Sequence, residues 1–217
     1  MSVQRHYYDF GTLPLSRVDG GTNILVTGPT LGGVRDLVLR MLLCQDRREG
    51  VLFITADTDG AKTLESYEAL GGDVNTERIG VVDCTEQSVD DPDRNIHAIG
   101  NPGDLTGVGI EFSSMYGALW ERGVRQVRTG VYTLAPLVIY ASVKPVYRFL
   151  HTLTGRVRSA DGLCVCAIDP DAVDDRTLSS LSQAFDGRVD LRSEDGTMAV
   201  RTRGLPDQPD GWQPLEL

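Results

Sequence analysis

Residues 23–36 read NILVTGPTLGGVRD, and this stretch decides the fold that we expect. Residues 23–27 have the character of a buried strand, a Gly-x4-Gly loop follows over 28–33, and an amphipathic pattern then predicts a helix over 34–48. A strand, a glycine loop and a helix N-terminus are the parts of a phosphate-binding loop, because glycines let backbone N–H groups converge on an anion. The candidate cofactor-binding residues are those of the loop and the first helical turn, namely Gly28, Pro29, Thr30, Gly32, Gly33, Val34 and Arg35.

The two side chains that make such a loop reactive are missing from this sequence. The residue after the last glycine is normally Lys, which reaches the β- and γ-phosphates, and here it is Val34. The next is normally Ser or Thr, whose hydroxyl binds magnesium, and here it is Arg35. Losing one charge-assisted contact costs about 1.5–3 kcal/mol of binding. Arg35 would leave the helix about 100° away from the lysine direction, and a plain strand-to-helix turn is the alternative interpretation.

Beyond the loop, short β-branched runs alternate with longer amphipathic segments, which predicts an α/β fold with a mostly parallel sheet and flanking helices. The predicted strands cover residues 51–56, 78–83, 126–133 and 162–168, and the predicted helices cover 61–70, 104–122, 142–157 and 174–185. Two further strands around Glu194-Asp195-Gly196 predict a C-terminal antiparallel hairpin on the sheet edge. At 217 residues we expect a single domain over 1–217, with 1–22 as an N-terminal segment and 204–217 as an extended C-terminal tail.

Residues 84–103 are rich in Asp, Pro, Asn and Gly with little periodicity, which predicts a long loop. The segment follows the carboxyl end of a strand, so we expect it at the same sheet edge as the glycine loop. Its acidic residues greatly outnumber Arg94, its one cation, which suits a basic or hydrated partner surface better than a phosphate. An unconstrained, solvated insertion is the alternative.

The charged residues point to an unusual solvent. The 31 carboxylates divide into 22 Asp and 9 Glu, whereas the 21 cations are 19 Arg with only Lys62 and Lys144, for a net charge of -10. Such a surface suits multimolar salt, which screens repulsion to about 3 Å, and predicts a halophile's cytosol; a high-GC genome is the alternative source of the arginine excess. The acidity argues against a broad nucleic-acid-binding face. Without an apolar run of membrane length or a secretion signal, the chain is expected to be cytoplasmic and to have no membrane partner.

No metal site and no catalytic residue is predicted. Cys164 and Cys166 lie two apart in an apolar run, so on a strand they share a face and are expected to be buried as small hydrophobic residues. The carboxylates after that run, Asp169, Asp171, Asp174 and Asp175, are interpreted as helix caps and surface groups.

Four segments together resemble the haloarchaeal proteins of the RecA superfamily that are related to KaiC and RadA. They are NILVTGPTLGG (23–33), GNPGDLTGVGIEFS (100–113), VRTGVYTLAPLVIYASVKPVYRFLHTLTGRV (127–157) and TRGLPDQPDGWQPLEL (202–217). The resemblance implies a RecA-like P-loop NTPase fold and a signalling or regulatory role. It places Val34 at the Walker A lysine and Tyr132 at the Walker B aspartate, so both motifs are degenerate.

Three functions stay open at this point. The first is a RecA/KaiC-like domain that has lost ATP hydrolysis and acts through protein partners, further copies of itself included. The second is a slow ATPase in which Arg35 and Asp57, which stands near the position of the family's water-activating Glu, replace the missing groups. The third is a sensor that binds a nucleotide without hydrolysing it, in which case ATP is the expected ligand.

Overall fold

The computed structural model describes residues 6–194 and 196–217. The first five residues of the predicted N-terminal segment and Asp195 of the predicted turn lie outside this part of the chain. The strands are β1 (Tyr7–Tyr8), β2 (Val18–Asp19), β3 (Asn23–Thr27), β4 (Glu49–Thr55), β5 (Ile79–Asp83), β6 (Ile96–Ala98), β7 (Gln126–Val131), β8 (Leu163–Ile168), β9 (Gly187–Glu194), β10 (Thr197–Arg203) and β11 (Gln213–Leu215). The α-helices are α1 (Val34–Met41), α2 (Gly60–Ala69), α3 (Leu105–Glu121), α4 (Ala135–Ala141), α5 (Val143–Ser159) and α6 (Asp175–Ser182).

The predicted α/β fold with a mostly parallel sheet is confirmed. Nine strands form one sheet in the order β11-β10-β9-β3-β8-β7-β4-β5-β6, and the seven from β9 to β6 run parallel. The C-terminal hairpin is also confirmed, since β10 pairs antiparallel with β9. The tail then adds β11 antiparallel to β10, which makes β11 an edge of the sheet. The two short strands β1 and β2 pair separately.

Each face of the sheet buries its own hydrophobic cluster. Alternate residues of a strand point to opposite faces, so in β4 Phe53 joins a cluster with α1 and α2, while Leu52 joins the cluster beneath α3, α5 and α6. Cys164 and Cys166 lie fully buried on the latter face, as predicted, with their sulfurs 3.7 Å apart and unbridged. The carboxyl ends of the seven parallel strands all lie on the same side of the sheet, which we call its carboxyl edge. Both faces of the sheet are covered.

The first helix is shorter than predicted, because a turn replaces its last two turns. The chain leaves α1 after Met41, and Asp46 accepts a hydrogen bond from the backbone N–H of Arg48 through its side chain (2.9 Å). The strand that follows starts at Glu49, earlier than predicted, because Glu49 is held by a buried arginine. Arg128 on β7 donates to both carboxylate oxygens of Glu49, at 2.9 and 3.2 Å.

The short strands β1, β2 and β11 were not predicted, and neither were two elements nearer the glycine loop, β6 and α4. The segment 84–103 is not a plain loop, since it contains a 3-10 turn at Pro92–Arg94 and the strand β6, which pairs parallel with β5. Backbone hydrogen bonds in both directions between Asp91 and Ile96 close this segment on itself, at 2.9 Å each. Helix α4 was also missed. It ends at Ser142, whose φ of 63° turns the chain sharply into α5.

Within the part of the chain that the structure describes, no helix is both long and apolar enough to cross a membrane.

Candidate functional site at the carboxyl edge of the sheet

The glycine loop connects β3 to α1 through a tight turn that needs its glycines. Gly33 caps α1 with a φ of 90°, in the left-handed region that favours glycine. A Cβ on Gly32 would overlap the ring of Pro29, whose carbonyl accepts from the Gly32 N–H at 2.9 Å. Leu31 at the tip is fully exposed. The local sequence thus builds a strand, a turn and a helix N-terminus, as expected.

An aspartate from the neighbouring strand already binds this loop. Asp169 directly follows β8, and its Oδ2 accepts from both the backbone N–H and the hydroxyl of Thr30, at 2.7 and 2.8 Å. Partial burial raises the pKa of Asp169, but the bonds from Thr30 and from the Asp171 N–H outweigh this and lower it. The carboxylate is therefore ionised at neutral pH, and a negative charge lies against the loop.

The side chains at the two expected reactive positions point elsewhere. Val34 is 3% exposed and packs in the hydrophobic cluster beneath α1. Arg35 forms an ion pair with Asp57 after β4 and donates to the Thr58 hydroxyl at 3.0 Å. Arg35 and Asp57 are thus bound to each other. These are the two residues that were candidates to replace the missing lysine and the catalytic carboxylate.

Tyr132 follows β7 and is almost completely buried. Its ring lies under the Arg35 guanidinium, with 5.7 Å between Cζ and the ring centroid. Burial raises the pKa of Tyr132, so the phenol is neutral at physiological pH. The group at this strand end is therefore an aromatic ring against an arginine and not an anionic metal ligand.

The C-terminal strands cover one side of the loop. A Cβ built on Gly33 would lie 2.9 Å from Leu217 Cδ1 and 3.1 Å from Met198 Sδ, while one on Gly28 would lie 2.9 Å from Leu191 Cβ. These apolar contacts come from the hairpin and the tail. The side of the glycine loop that faces β9 and β10 is therefore covered by apolar side chains.

A polar cleft of about 740 Å³ opens at the same edge, beside Arg35. Its second wall comes from the segment 84–103, including Glu86, so the expected position of that segment is confirmed. Charged side chains of the cleft are bonded to groups within it. Lys62 binds Asp59 at 3.0 Å, and the Tyr140 hydroxyl donates to Glu86 at 3.1 Å.

Asp190 is a polar residue of this edge that the sequence analysis missed. It lies beside the last residue of β3, and its Oδ1 accepts from the Thr27 hydroxyl at 2.8 Å. Three guanidinium groups surround it, those of Arg188 (2.6 Å), Arg203 (2.8 Å) and Arg201 (3.2 Å). Only the register of β9 against β3 brings Asp190 next to the loop, so no local pattern could have revealed it.

The remaining carboxylates of the edge serve the backbone. Asp174 caps α6 by accepting from the Thr177 N–H at 2.6 Å, and Asp169 accepts from the Asp171 N–H at 3.0 Å, so these two are caps as interpreted. The bond between Asp169 and Thr30 goes beyond that interpretation. Among residues 6–194 and 196–217, no group of three or more His, Cys, Asp or Glu side chains is placed to hold a metal ion.

Comparison with known proteins agrees with this architecture. A crystal structure of a KaiC-like protein from the hyperthermophilic archaeon Pyrococcus horikoshii matches with a TM-score of 0.63 and 13% sequence identity, over 91% of this chain and 86% of that one. At that identity the likeness shows the fold alone, and the predicted RecA-like fold is confirmed. A search of curated proteins finds no match. The model of a family of unknown function, DUF7504, matches residues 21–191. Because that match covers most of the chain, from before β3 into β9, this protein belongs to the DUF7504 family.

Proposed function

We propose that this chain is a RecA-like domain that does not hydrolyse ATP and that acts by binding other proteins. The proposal combines the RecA-like fold with the contacts of the glycine loop. We also propose that the protein comes from a haloarchaeon, lies in the cytoplasm and forms one domain over 1–217. The composition and the length of the chain support these three points.

The observation that carries the proposal is the bond between Asp169 and Thr30. A phosphate-binding loop works because its free N–H groups and the helix dipole attract an anion. Here the Thr30 N–H already has a carboxylate acceptor from within the chain. Two like charges 4 Å apart repel by about 1 kcal/mol in bulk water and about 4 kcal/mol near a protein surface. A nucleotide phosphate would have to displace Asp169 or bear this repulsion.

The groups that a magnesium nucleotide requires do not match the residues present. Val34 is apolar and buried where a lysine would bind phosphate. Tyr132 is a neutral phenol near the position of a metal-coordinating aspartate, and magnesium takes oxygen ligands from carboxylates, hydroxyls and water. The residues therefore do not fit the nucleotide that the fold implies, and we derive no hydrolytic step for this chain.

The contact between Arg35 and Asp57 also weakens the case for a slow ATPase. An arginine paired with a carboxylate donates fewer bonds to a ligand, and a paired carboxylate is a poor base for activating water. A nucleotide sensor remains the second candidate, since the polar cleft beside Arg35 is large enough for a small ligand.

One titration separates these functions. A fluorescent ATP analogue is added to the folded chain in multimolar KCl with Mg²⁺, and phosphate release is then followed with ATP. We expect neither saturable binding at millimolar nucleotide nor turnover above buffer. Binding without turnover would identify a sensor instead. Magnesium-dependent turnover that is lost in an Asp57→Ala variant would defeat the proposal in favour of an ATPase.

Restoring the missing side chains tests whether the bond between Asp169 and Thr30 prevents nucleotide binding. The variant Val34→Lys with Arg35→Thr is combined either with Asp169→Ala or with the control Asp171→Ala from the same turn. We expect ATP affinity to appear with Asp169→Ala and to be at least tenfold weaker with Asp171→Ala. Hydrolysis should stay absent in both, because Tyr132 is unchanged. Equal affinities would show that Asp169 does not close the loop, provided that circular dichroism finds both variants folded.

A further inference from the structure

The outer surface of α3 and α5 carries a groove that is separate from the glycine loop. Two adjoining cavities of about 420 and 570 Å³ lie between the helices and share Phe112 and Arg156 in their lining. We call this the α3–α5 groove and define it by Ile110, Phe112, Gly117, Trp120, Phe149 and Arg156. Ile110 is 65% exposed and Trp120 is 47% exposed, so large apolar side chains line it in contact with solvent. Such an apolar surface between two helices is typical of a site for a third helix.

Two of the three glycines of α3, Gly109 and Gly117, are not explained by packing inside the chain, whereas a Cβ on Gly107 would overlap the capping side chain of Asp104. A Cβ on Gly117 would meet nothing within 4 Å, and one on Gly109 would meet only Phe149, at 4.0 Å. Glycine inside a helix weakens it relative to alanine, because it loses more backbone freedom on folding. Both glycines line the groove. A helix backbone that approaches α3 from outside would account for them.

The charge of the groove is opposite to the charge of the chain. Helix α5 carries Lys144, Arg148, Arg156 and Arg158 and no acidic residue, in a protein with a net charge of -10. None of the ion pairs found among the described residues involves Arg148 or Arg156. Arg156 donates to the Gly109 carbonyl at 3.1 Å and so spans the groove from α5 to α3. Glu121 is the one acid in the described lining, and it lies toward the C-terminal end of α3.

We propose that the α3–α5 groove binds an amphipathic helix of a partner protein whose apolar face is flanked by Asp and Glu. The apolar face would cover Ile110 and Trp120, the helix backbone would approach α3 at Gly109 and Gly117, and the acidic flank would lie along Arg148 and Arg156. This surface lies on the helices and not at the carboxyl edge, so the inference holds whether or not the glycine loop binds a nucleotide.

The test uses two labelled 18-residue helical peptides with the same leucine face, one flanked by glutamates and the other by lysines. Fluorescence anisotropy is measured at the lowest KCl concentration at which circular dichroism shows the chain folded. We expect the glutamate peptide to bind at least tenfold more tightly than the lysine peptide. Equal binding, a preference for the lysine peptide, or no binding of either would overturn the proposal.

Variants with matched controls locate the binding. Gly117→Leu should weaken binding of the glutamate peptide at least tenfold, whereas Ala69→Leu, on an exposed position of α2 across the sheet, should not. Arg148→Glu should reverse the preference toward the lysine peptide, whereas Arg176→Glu, with the same charge change on α6, should not. Unchanged binding in Gly117→Leu and in Arg148→Glu would exclude the groove.

Gly117→Ala separates loss of binding from loss of folding. Because the added methyl group meets open space, the helix should gain stability and the melting temperature should rise by about 2–4 °C. Binding of the glutamate peptide should weaken in the same variant. Sedimentation of the unmodified chain completes the test, since a dimer that Gly117→Leu converts to a monomer would mean that a second copy occupies the groove, which would contradict the proposal.

Discussion

At the scale of single residues, Arg128 stands out as a charged side chain inside the hydrophobic core. It is completely buried on β7, and its guanidinium donates to Glu49, to the Met41 carbonyl (2.8 Å) and to the Asp9 carbonyl (2.8 Å). One cation thereby ties together the end of α1, the start of β4 and the N-terminal segment. Removing it would leave the Glu49 carboxylate buried without a counter-charge.

We therefore predict that Arg128→Met lowers the free energy of unfolding by about 3–5 kcal/mol, the usual cost of an uncompensated buried charge. Urea unfolding in high salt measures it. Arg47→Met, at an exposed position nearby, should change the value by less than about 0.5 kcal/mol. A loss of less than 1 kcal/mol in Arg128→Met would mean that water reaches Glu49.

Asp190 makes stability depend on pH. Burial raises its pKa, but the Thr27 hydroxyl and the three guanidinium groups outweigh burial and hold it below the usual range. Since the folded-state pKa is depressed, the stabilisation is complete above the unfolded pKa of about 3.9 and is lost as the pH falls through the folded-state value.

We predict that Asp190→Asn lowers the stability by about 1–3 kcal/mol at pH 7, because a neutral amide replaces the charged acceptor. The difference from the unmodified chain should shrink as the pH falls below about 4, where the Asp190 carboxyl group of the unfolded chain begins to be protonated. Chemical unfolding at pH 7, 5 and 3 checks this, with Asp210→Asn at an exposed position as the control. A difference that stays constant across these values would contradict it.

At the scale of elements, three of the six α-helices, α2, α3 and α6, begin at an aspartate whose side chain caps the first turn. Asp104 accepts from the Gly107 N–H at 2.9 Å, and Asp174 caps α6 in the same way. From the sequence, Asp174 was interpreted as a cap and a helix was predicted to start at residue 104, because an aspartate before an apolar periodic run is a local signal. Helix starts are therefore the most predictable part of this fold.

We predict that Asp104→Ala destabilises the chain by about 0.5–2 kcal/mol and that Asp104→Asn, which keeps a side-chain acceptor, costs much less. Thermal unfolding of the three proteins side by side gives the comparison. Equal losses in the two variants would show that charge near the helix N-terminus matters more than the capping bond.

The elements and contacts that the sequence did not predict depend on distant partners. Strand β6 has three residues, one of them His97, and it exists because β5 offers a free edge. Helix α4 has seven residues, and its start carries Pro136 in place of a capping side chain. The bond from Thr30 to Asp169 spans 139 residues and requires β8 to lie beside β3. The glycine loop itself was local and could be predicted, whereas the group that binds it could not.

At the scale of the whole molecule, the stability of the folded state depends on the net charge and on the salt concentration. The chain has a net charge of -10, so in dilute buffer its carboxylates repel one another over about 10 Å at 0.1 M salt and over about 3 Å at 1 M. Net charge of this size destabilises a compact state. Because the 31 carboxylates outnumber the 21 cationic side chains, counter-ions from the solvent must supply part of the neutralisation.

We predict that the melting temperature rises between 0.1 M and 3 M KCl. Calorimetry or circular dichroism measures the midpoint, and NaCl in place of KCl is the control for ion identity. A melting temperature that does not change with salt would remove the argument for a halophilic host. The arginine excess would then be explained by a high-GC genome.

Both edges of the nine-stranded sheet end in three-residue strands, β6 on one side and β11 on the other, and β11 includes Pro214, which has no N–H to donate. A long bare edge invites another chain to add a strand and is a common start of aggregation. In concentrated salt, where electrostatic repulsion between molecules is screened, a protein cannot rely on its charge to stay dispersed. Two short edges, one of them interrupted by a proline, leave so few free backbone groups that the sheet is a poor template for fibre growth, even when its charge offers no protection.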